Sequence, residues 1–150
     1  MAARGFTSVE ILIVLVIGAI IVAIAIPAID TYVQRTRLME CITAISDMSA
    51  TIKQAEKTSG ALAATLADVG YDGKLDPWGK PYEYFNHRTS TGNGQTRKDR
   101  QLKPLNSDFE LYSVGRDGLT SSSLTNSRSR DDVVRARDGR FIGTAEEFDP

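Results

Sequence analysis

The sequence predicts an α+β fold in which one long N-terminal helix precedes a small antiparallel β-sheet. Three observations support this prediction: a charge-free apolar run from Ile11 to Ile29, a stripe of apolar residues at helical spacing after it, and two short aromatic segments separated by turn residues. The chain has 150 residues, which is enough for one domain and a membrane anchor. We expect the helix over residues 6–58 and the globular domain over residues 59–150.

The apolar run is long enough to cross a membrane. Roughly 20 apolar residues span the hydrocarbon core of a bilayer as a helix, so residues 6–29 are predicted to be the transmembrane half of the long helix. The one charge near its start is Glu10, which lipid penalises unless the carboxylate has a partner. An ordinary secretory signal is cleaved after its apolar region, and a plain single-span anchor needs no carboxylate. Neither alternative explains the position of Glu10.

The second half of the helix is predicted to be amphipathic. Its apolar residues recur at spacings of three, four and seven, which place them on one face. Pro27 removes one backbone hydrogen bond and predicts a bend near the junction of the two halves. Thr58-Ser59-Gly60 is the predicted end of the helix, because glycine adopts the left-handed conformation of a C-terminal cap. The apolar face contains Leu38, Ile42, Ile45, Met48, Ile52 and Ala55.

The remainder predicts a small sheet. Aromatic and β-branched residues between turn signals are typical of strands, and a sheet of a few strands is stable only when its apolar face is covered. We therefore expect the amphipathic half of the helix to cover it. A mobile polar hairpin loop is expected over 86–107 and an acidic tail over 144–150. Ordered segments are predicted at 61–70 (short helix or loop), 82–85 and 109–114 (strands), and 131–134 and 140–143 (short pieces).

Composition excludes several functions. The net charge of -1 predicts no nucleic-acid surface, and the basic run Arg97–Lys103 is interpreted as a solvated loop rather than a site for an anionic polymer. Cys41 is the only cysteine, which excludes an internal disulfide and a paired-cysteine zinc site. It is predicted to be buried, with crosslinking between chains as the alternative. His87, the only histidine, is predicted to be solvated, and no catalytic motif is present, so we expect no enzymatic activity.

The N-terminal residues resemble the class III signal of type IV prepilins and type II secretion pseudopilins. They read Gly-Phe-Thr-Ser-Val-Glu from Gly5 to Glu10, directly before the apolar run. Ser8 and Val9 depart from the commoner Leu-Ile of that family. The resemblance implies a pilin-like lollipop fold and cleavage by a prepilin peptidase after Gly5, which removes the leader 1–5.

The same resemblance assigns roles to three further positions. It implies methylation of the new N-terminal residue, Phe6, and an assembly role for the carboxylate of Glu10. Pro27 matches the helix-kinking proline of the family. Orientation follows from the short leader and Arg4, which the positive-inside rule places in the cytoplasm.

A second resemblance is to the major, G-type pseudopilin of type II secretion. It is carried by LDPWGKPY over Leu75–Tyr82, by DFELYSVGRDG over Asp108–Gly118, and by a following Asp-Asp pair. In that family these stretches form a calcium loop, in keeping with the preference of calcium for six to eight carboxylate and carbonyl oxygens. The resemblance implies calcium bound by the side chains of Asp117, Asp131 and Asp132 and by the main-chain carbonyls of Val114 and Leu119.

The spacing leaves an alternative to calcium open. Asp131 follows Asp117 at a longer interval than is usual in the family. In the alternative, Asp117 only forms a turn, and Asp131 and Asp132 pair with Arg128 and Arg130.

These resemblances imply a structural subunit of a periplasmic pseudopilus for type II secretion. The expected partners are further copies of the chain, other pseudopilins, the prepilin peptidase and an inner-membrane assembly platform. The expected location is the bacterial inner membrane, crossed once, with the C-terminal domain in the periplasm. Alternatives are a major or minor type IV pilin of a surface fibre for adhesion, motility or DNA uptake, a membrane-anchored calcium-binding module that never polymerises, and a tethered hydrolase.

Overall fold

The computed structural model of the chain describes Gly5 and residues 7–89, 96–100 and 102–148. One α-helix, α1, runs from Ser8 to Ser59 over 52 residues. The chain divides into two compact units, Met1–Thr36 and Arg37–Pro150, so that α1 begins in the first and ends in the second. The strands are β1 (Glu83–Asn86), β2 (Phe109–Ser113), β3 (Val133–Ala136) and β4 (Phe141–Thr144).

In the first unit, α1 presents apolar side chains on all sides. The exposed fractions of Val9, Leu12 and Ile24 are 64%, 63% and 68%, and every residue that α1 buries lies beyond Thr36. By length and composition alone, α1 is able to cross a membrane. A helix that is apolar on all sides requires an apolar environment, which is lipid or other helices.

In the second unit, four strands form an antiparallel sheet in the order β1-β2-β3-β4. Phe85 lies opposite Glu110, Tyr112 opposite Val134, and Val134 opposite Gly143. The predicted segments at 82–85 and 109–114 are strands, and the short pieces at 131–134 and 140–143 correspond to β3 and β4. The predicted α+β fold class is confirmed: one long helix packs against a four-stranded antiparallel sheet.

The C-terminal part of α1 covers one face of this sheet. Because successive side chains of a strand point to opposite faces, Phe109 and Leu111 of β2 and Val133 of β3 all point toward the helix. The predicted apolar stripe is confirmed, and Cys41 is buried beside it, as predicted. The core on this face consists of Cys41, Ile45, Met48, Ile52, Leu62, Tyr82, Phe109, Leu111 and Val133.

The opposite face of the sheet also carries a buried core. Segments from the polar loops and from the C-terminal tail cover it, and the acidic tail contributes two apolar residues, Ala145 and Phe148, to the interior. The aromatic rings of Phe141 and Phe148 lie 5.1 Å apart. This core consists of Leu105, Leu124, Val134, Ala136, Ala145 and Phe148.

The end of α1 has the predicted glycine cap. Gly60 has a φ of 77°, and its N–H donates to the carbonyl of Glu56 over 2.8 Å. The segment after it contains a short 3-10 helix, Ala67–Val69, which agrees with the expected short helix or loop.

Candidate functional site

The N-terminus of α1 is closed by a reciprocal cap between Thr7 and Glu10. The N–H of Glu10 donates to Thr7 Oγ1 over 3.3 Å, and Glu10 Oε2 accepts from the Thr7 N–H at 2.8 Å and from its hydroxyl at 2.9 Å. This capping box satisfies N–H groups that the first helical turn leaves without partners. The carboxylate predicted to act in assembly therefore has a local partner.

The predicted processing site is described only in part. Gly5 is exposed, whereas Phe6 lies outside the described residues. Cleavage after Gly5 and methylation of Phe6 stay predictions.

Pro27 lies inside α1, as predicted. The hydroxyl of Thr31 donates to the Pro27 carbonyl over 3.0 Å, and Thr36 makes the same kind of bond to the carbonyl of Tyr32 at 3.1 Å. These bonds satisfy threonine hydroxyls inside an apolar helix surface. The predicted bend at Pro27 stays a prediction.

Asp76 joins the DPWG turn to the turn that follows β2. Its Oδ1 accepts from the N–H groups of Trp78 and Lys80 at 3.0 and 2.8 Å, so it caps its own turn, as aspartate side chains commonly do at the start of a turn. Its Oδ2 accepts from the hydroxyl of Ser113, and Ser113 Oγ accepts from the N–H of Gly115 at 3.1 Å. The two stretches that carry the second resemblance are therefore in contact.

Two of the three predicted calcium carboxylates lie together at this turn. Asp131 Oδ2 accepts from the N–H of Asp117 at 3.0 Å, and Asp117 Oδ1 accepts from the N–H of Leu119 at 2.7 Å. Gly115 allows this approach, because a Cβ at its φ of +69° would lie 2.4 Å from the Asp131 carbonyl oxygen. Val114 and Leu119, the predicted carbonyl ligands, flank the turn.

The third predicted ligand, Asp132, pairs with Arg97. The guanidinium of Arg97 donates to Asp132 Oδ2 and, over 2.9 Å, to the hydroxyl oxygen of Thr120. That hydroxyl donates to the same Asp132 oxygen at 2.7 Å. Asp132 is 0% exposed and Arg97 is 2% exposed. The prediction that Arg97 is solvated is therefore wrong, and the cation on Asp132 is neither Arg128 nor Arg130.

The arrangement does not fit calcium. Among the described residues, no group of three or more His, Cys, Asp or Glu side chains lies close enough to hold a metal ion. Asp132 Oδ1 is buried and has no hydrogen-bond partner in the described part of the chain, so this oxygen would be open to a metal ion. The other oxygen of the same carboxylate already contacts a guanidinium, and a metal ion there would bring two cations together at short range.

A second buried charge cluster joins α1 to the sheet. Arg135 donates to both carboxylate oxygens of Asp108 at 2.8 and 2.9 Å and to Ser49 Oγ of α1 at 2.9 Å. Lys53 Nζ lies 2.7 Å from Asp108 Oδ2. Although burial alone would raise the pKa of Asp108, hydrogen bonds from Arg135 and Lys53 hold that pKa well below its usual range. The Arg135 guanidinium also lies 4.0 Å from the centre of the Phe109 ring.

Glu110 is a buried acid on the opposite face of the sheet. Asn106 Nδ2 donates to Glu110 Oε2 at 2.6 Å, and Glu110 Oε1 lies 3.4 Å from His87 Nε2. Burial raises the pKa of Glu110 to about 7 and lowers the pKa of His87. The side chain of His87 is only 15% exposed, so the prediction that it is solvated is wrong.

Sequence reasoning missed the buried charges of this domain. Glu110 stands between Phe109 and Leu111 in β2, and Arg135 follows two valines in β3. The sequence signal for these buried charges is a charged residue between apolar residues of a strand. When both faces of a sheet are covered, such a residue is buried whichever face it points to. Arg97 had no such signal, since it lies in a polar run.

No protein-family model matches this chain, and no solved structure matches it significantly. Its architecture is consistent with a pilin-like layout: a long apolar N-terminal helix is followed by a small antiparallel sheet.

Proposed function

We propose that the chain is a structural subunit of a periplasmic pseudopilus of a type II protein secretion system. The observation that carries this proposal is the apolar surface of α1 in the first unit, which is exposed on all sides and ends at a single carboxylate, Glu10. Soluble monomers rarely expose contiguous apolar patches larger than a few hundred Å². Lipid before assembly and copies of the same helix after assembly cover this surface.

In this proposal, Glu10 changes its partner during assembly. In the membrane, Thr7 satisfies the carboxylate through the capping box. Cleavage after Gly5 creates a positively charged amine on Phe6. In the filament, Glu10 of one subunit pairs with the Phe6 amine of its neighbour.

The charge pair and the apolar surface have different effects on the filament. Opposite charges attract strongly where the dielectric constant is low, and leaving one of them unpaired there is costly, so the pair sets the register between subunits. Apolar packing supplies the cohesion. A head-to-tail contact repeated in this way builds an open helical filament.

The proposal also specifies location and partners. The unassembled subunit crosses the bacterial inner membrane once, with its second unit in the periplasm. A prepilin peptidase processes it, and an inner-membrane assembly platform adds it, with other pseudopilins, to the filament.

Replacing the carboxylate tests the role of Glu10. We expect Glu10→Ala to insert into the membrane and to be cleaved, but to assemble into filament at a small fraction of the wild-type yield. The reason is that the Phe6 amine of the neighbour then has no counter-charge. The measurement is the ratio of sheared filament to membrane-extracted subunit, with cleavage followed by mass.

Glu146→Ala provides the matched control, because Glu146 is an exposed acid near the C-terminus. We expect it to assemble as the wild type does. Wild-type filament yield from Glu10→Ala would refute the proposed role of the carboxylate.

A deletion strain separates the two kinds of filament: loss of protein export supports the pseudopilus, and loss of a surface fibre with normal export indicates a type IV pilin.

A further inference from the structure

The segment between the turn after β2 and the start of β3 is held by a cation from the chain itself. We infer that Arg97 clamps the segment 119–132 in the place where the resemblance implies a calcium ion, so that the folded domain needs no calcium. This inference concerns the second unit alone and does not depend on whether the chain polymerises.

The position of the Arg97 side chain is fixed by three contacts. Its guanidinium donates to Asp132 and to Thr120, and its central carbon lies 4.0 Å from the centre of the Tyr112 ring. Thr120 lies next to the first residue of the clamped segment and Asp132 is its last residue, and one planar group binds both. A guanidinium is suited to this role because its N–H donors form a rigid fork, whereas an ammonium group is a point charge.

Main-chain hydrogen bonds join the same two parts of the chain. The N–H of Lys98 donates to the Ser122 carbonyl at 2.8 Å, and the N–H of Leu124 donates to the Lys98 carbonyl at 2.9 Å. These bonds form a parallel bridge between Lys98 and Ser123. Leu124, which the bridge holds in place, is 3% exposed in the core of the sheet face opposite α1. Residues 96–100, a described part of the polar loop expected to be mobile, therefore support the clamped segment.

Charge balance explains why the Arg97 guanidinium takes the place of a metal ion. Calcium binding in such a loop relies on carboxylates whose charges are not already neutralised. Asp132 has its counter-charge in Arg97, while Asp131 and Asp117 accept the N–H groups that shape the turn. One Arg side chain, built into the fold, supplies positive charge that calcium would supply only when it is available in solution.

The test uses the full chain in detergent micelles and follows unfolding of the second unit by near-ultraviolet circular dichroism. Removing the cation leaves Asp132 buried without its counter-charge, so we expect Arg97→Met to lower the Tm by about 10 °C or more. We also expect faster amide exchange over residues 119–132. Arg128→Met is the matched control, because Arg128 is an exposed arginine of the same segment, and its Tm should equal that of the wild type.

The calcium arm of the test uses the wild-type chain. We expect the same Tm with excess calcium chloride as with EGTA. A rise in Tm with calcium that Asp117→Ala abolishes would overturn the inference, and so would an Arg97→Met variant as stable as Arg128→Met. If Arg97→Met does not fold, the comparison of calcium with EGTA on the wild type decides by itself whether the folded domain needs calcium.

Discussion

The carboxyl group of Glu110 makes the stability of the second unit depend on pH. Burial raises its pKa from 4.5 to about 7, so between these values the folded chain retains a proton that the unfolded chain releases. Its stabilising contribution is complete below pH 4.5 and is lost as the pH rises through 7. His87 has the opposite effect, because its lowered pKa makes acid destabilising.

We expect Glu110→Gln to remove the Glu110 part of this dependence, because glutamine keeps the shape of the protonated acid. Relative to the wild type, the variant should gain free energy of unfolding between pH 4.5 and 7, by up to about 3 kcal/mol. His87 Nε2 lies 3.4 Å from Glu110 Oε1, so the two groups titrate as a coupled pair, and the difference between the two proteins reports the pair. Chemical denaturation at a series of pH values measures this, and parallel profiles of the two proteins would show that the carboxyl of Glu110 titrates normally in the folded chain.

At the residue scale, local chemistry was predictable and long-range pairing was not. The Asp76 turn, the Gly60 cap and the buried Cys41 follow from neighbours in the sequence, and all three are observed. The polar sequence neighbours of Arg97 and His87 predict solvated side chains, and both predictions are wrong. Their partners, Asp132 and Glu110, are distant in the sequence, and only the fold brings them close.

At the scale of elements, Arg135 attaches α1 to the sheet through charge as well as through apolar contacts. It lies in β3, bonds to Ser49 of α1 and to Asp108 before β2, and is 1% exposed. The flanking ion pair between Arg88 and Glu56 measures 2.8 Å, but it lies on the surface. The buried cluster joins α1 to β3 and to the residue before β2, whereas the exposed pair joins α1 to the segment after β1.

We expect Arg135→Met to destabilise the second unit by about 3 kcal/mol or more, because it leaves Asp108 buried with only Lys53 as a counter-charge. Arg88→Met is the control and should cost less than about 1 kcal/mol, since an exposed pair contributes little. Urea unfolding of the full chain in micelles measures both. Equal effects of the two substitutions would contradict the assignment of Arg135 as the stronger attachment.

Helical and strand periodicity explain why the elements themselves were predictable. The stripe that includes Ile45, Met48 and Ile52 has a helical period, and the Phe109–Ser113 strand alternates between two faces. The second core has no such pattern. Leu105 and Leu124 are isolated apolar residues in polar loops, and only tertiary packing shows that they cover a sheet.

At the scale of the whole molecule, the two units bury their apolar residues differently. The second unit covers both faces of its sheet, whereas the helix of the first unit leaves its apolar side chains exposed. Hydropathy along the sequence predicts this contrast, and with it the fold class. Neither hydropathy nor the family resemblance predicts the Arg97 clamp. The resemblance rests on motif residues, and these carry no information about Arg97, which lies in another loop and binds the carboxylate of Asp132.

The most direct test of the proposed function is the intact mass of the full chain extracted from the membrane of cells that contain a prepilin peptidase. We predict the loss of residues 1–5 and the gain of one methyl group on Phe6, and we expect Gly5→Leu to retain the leader. A wild-type chain that still carries Met1–Gly5 and stays monomeric in the membrane would contradict the account.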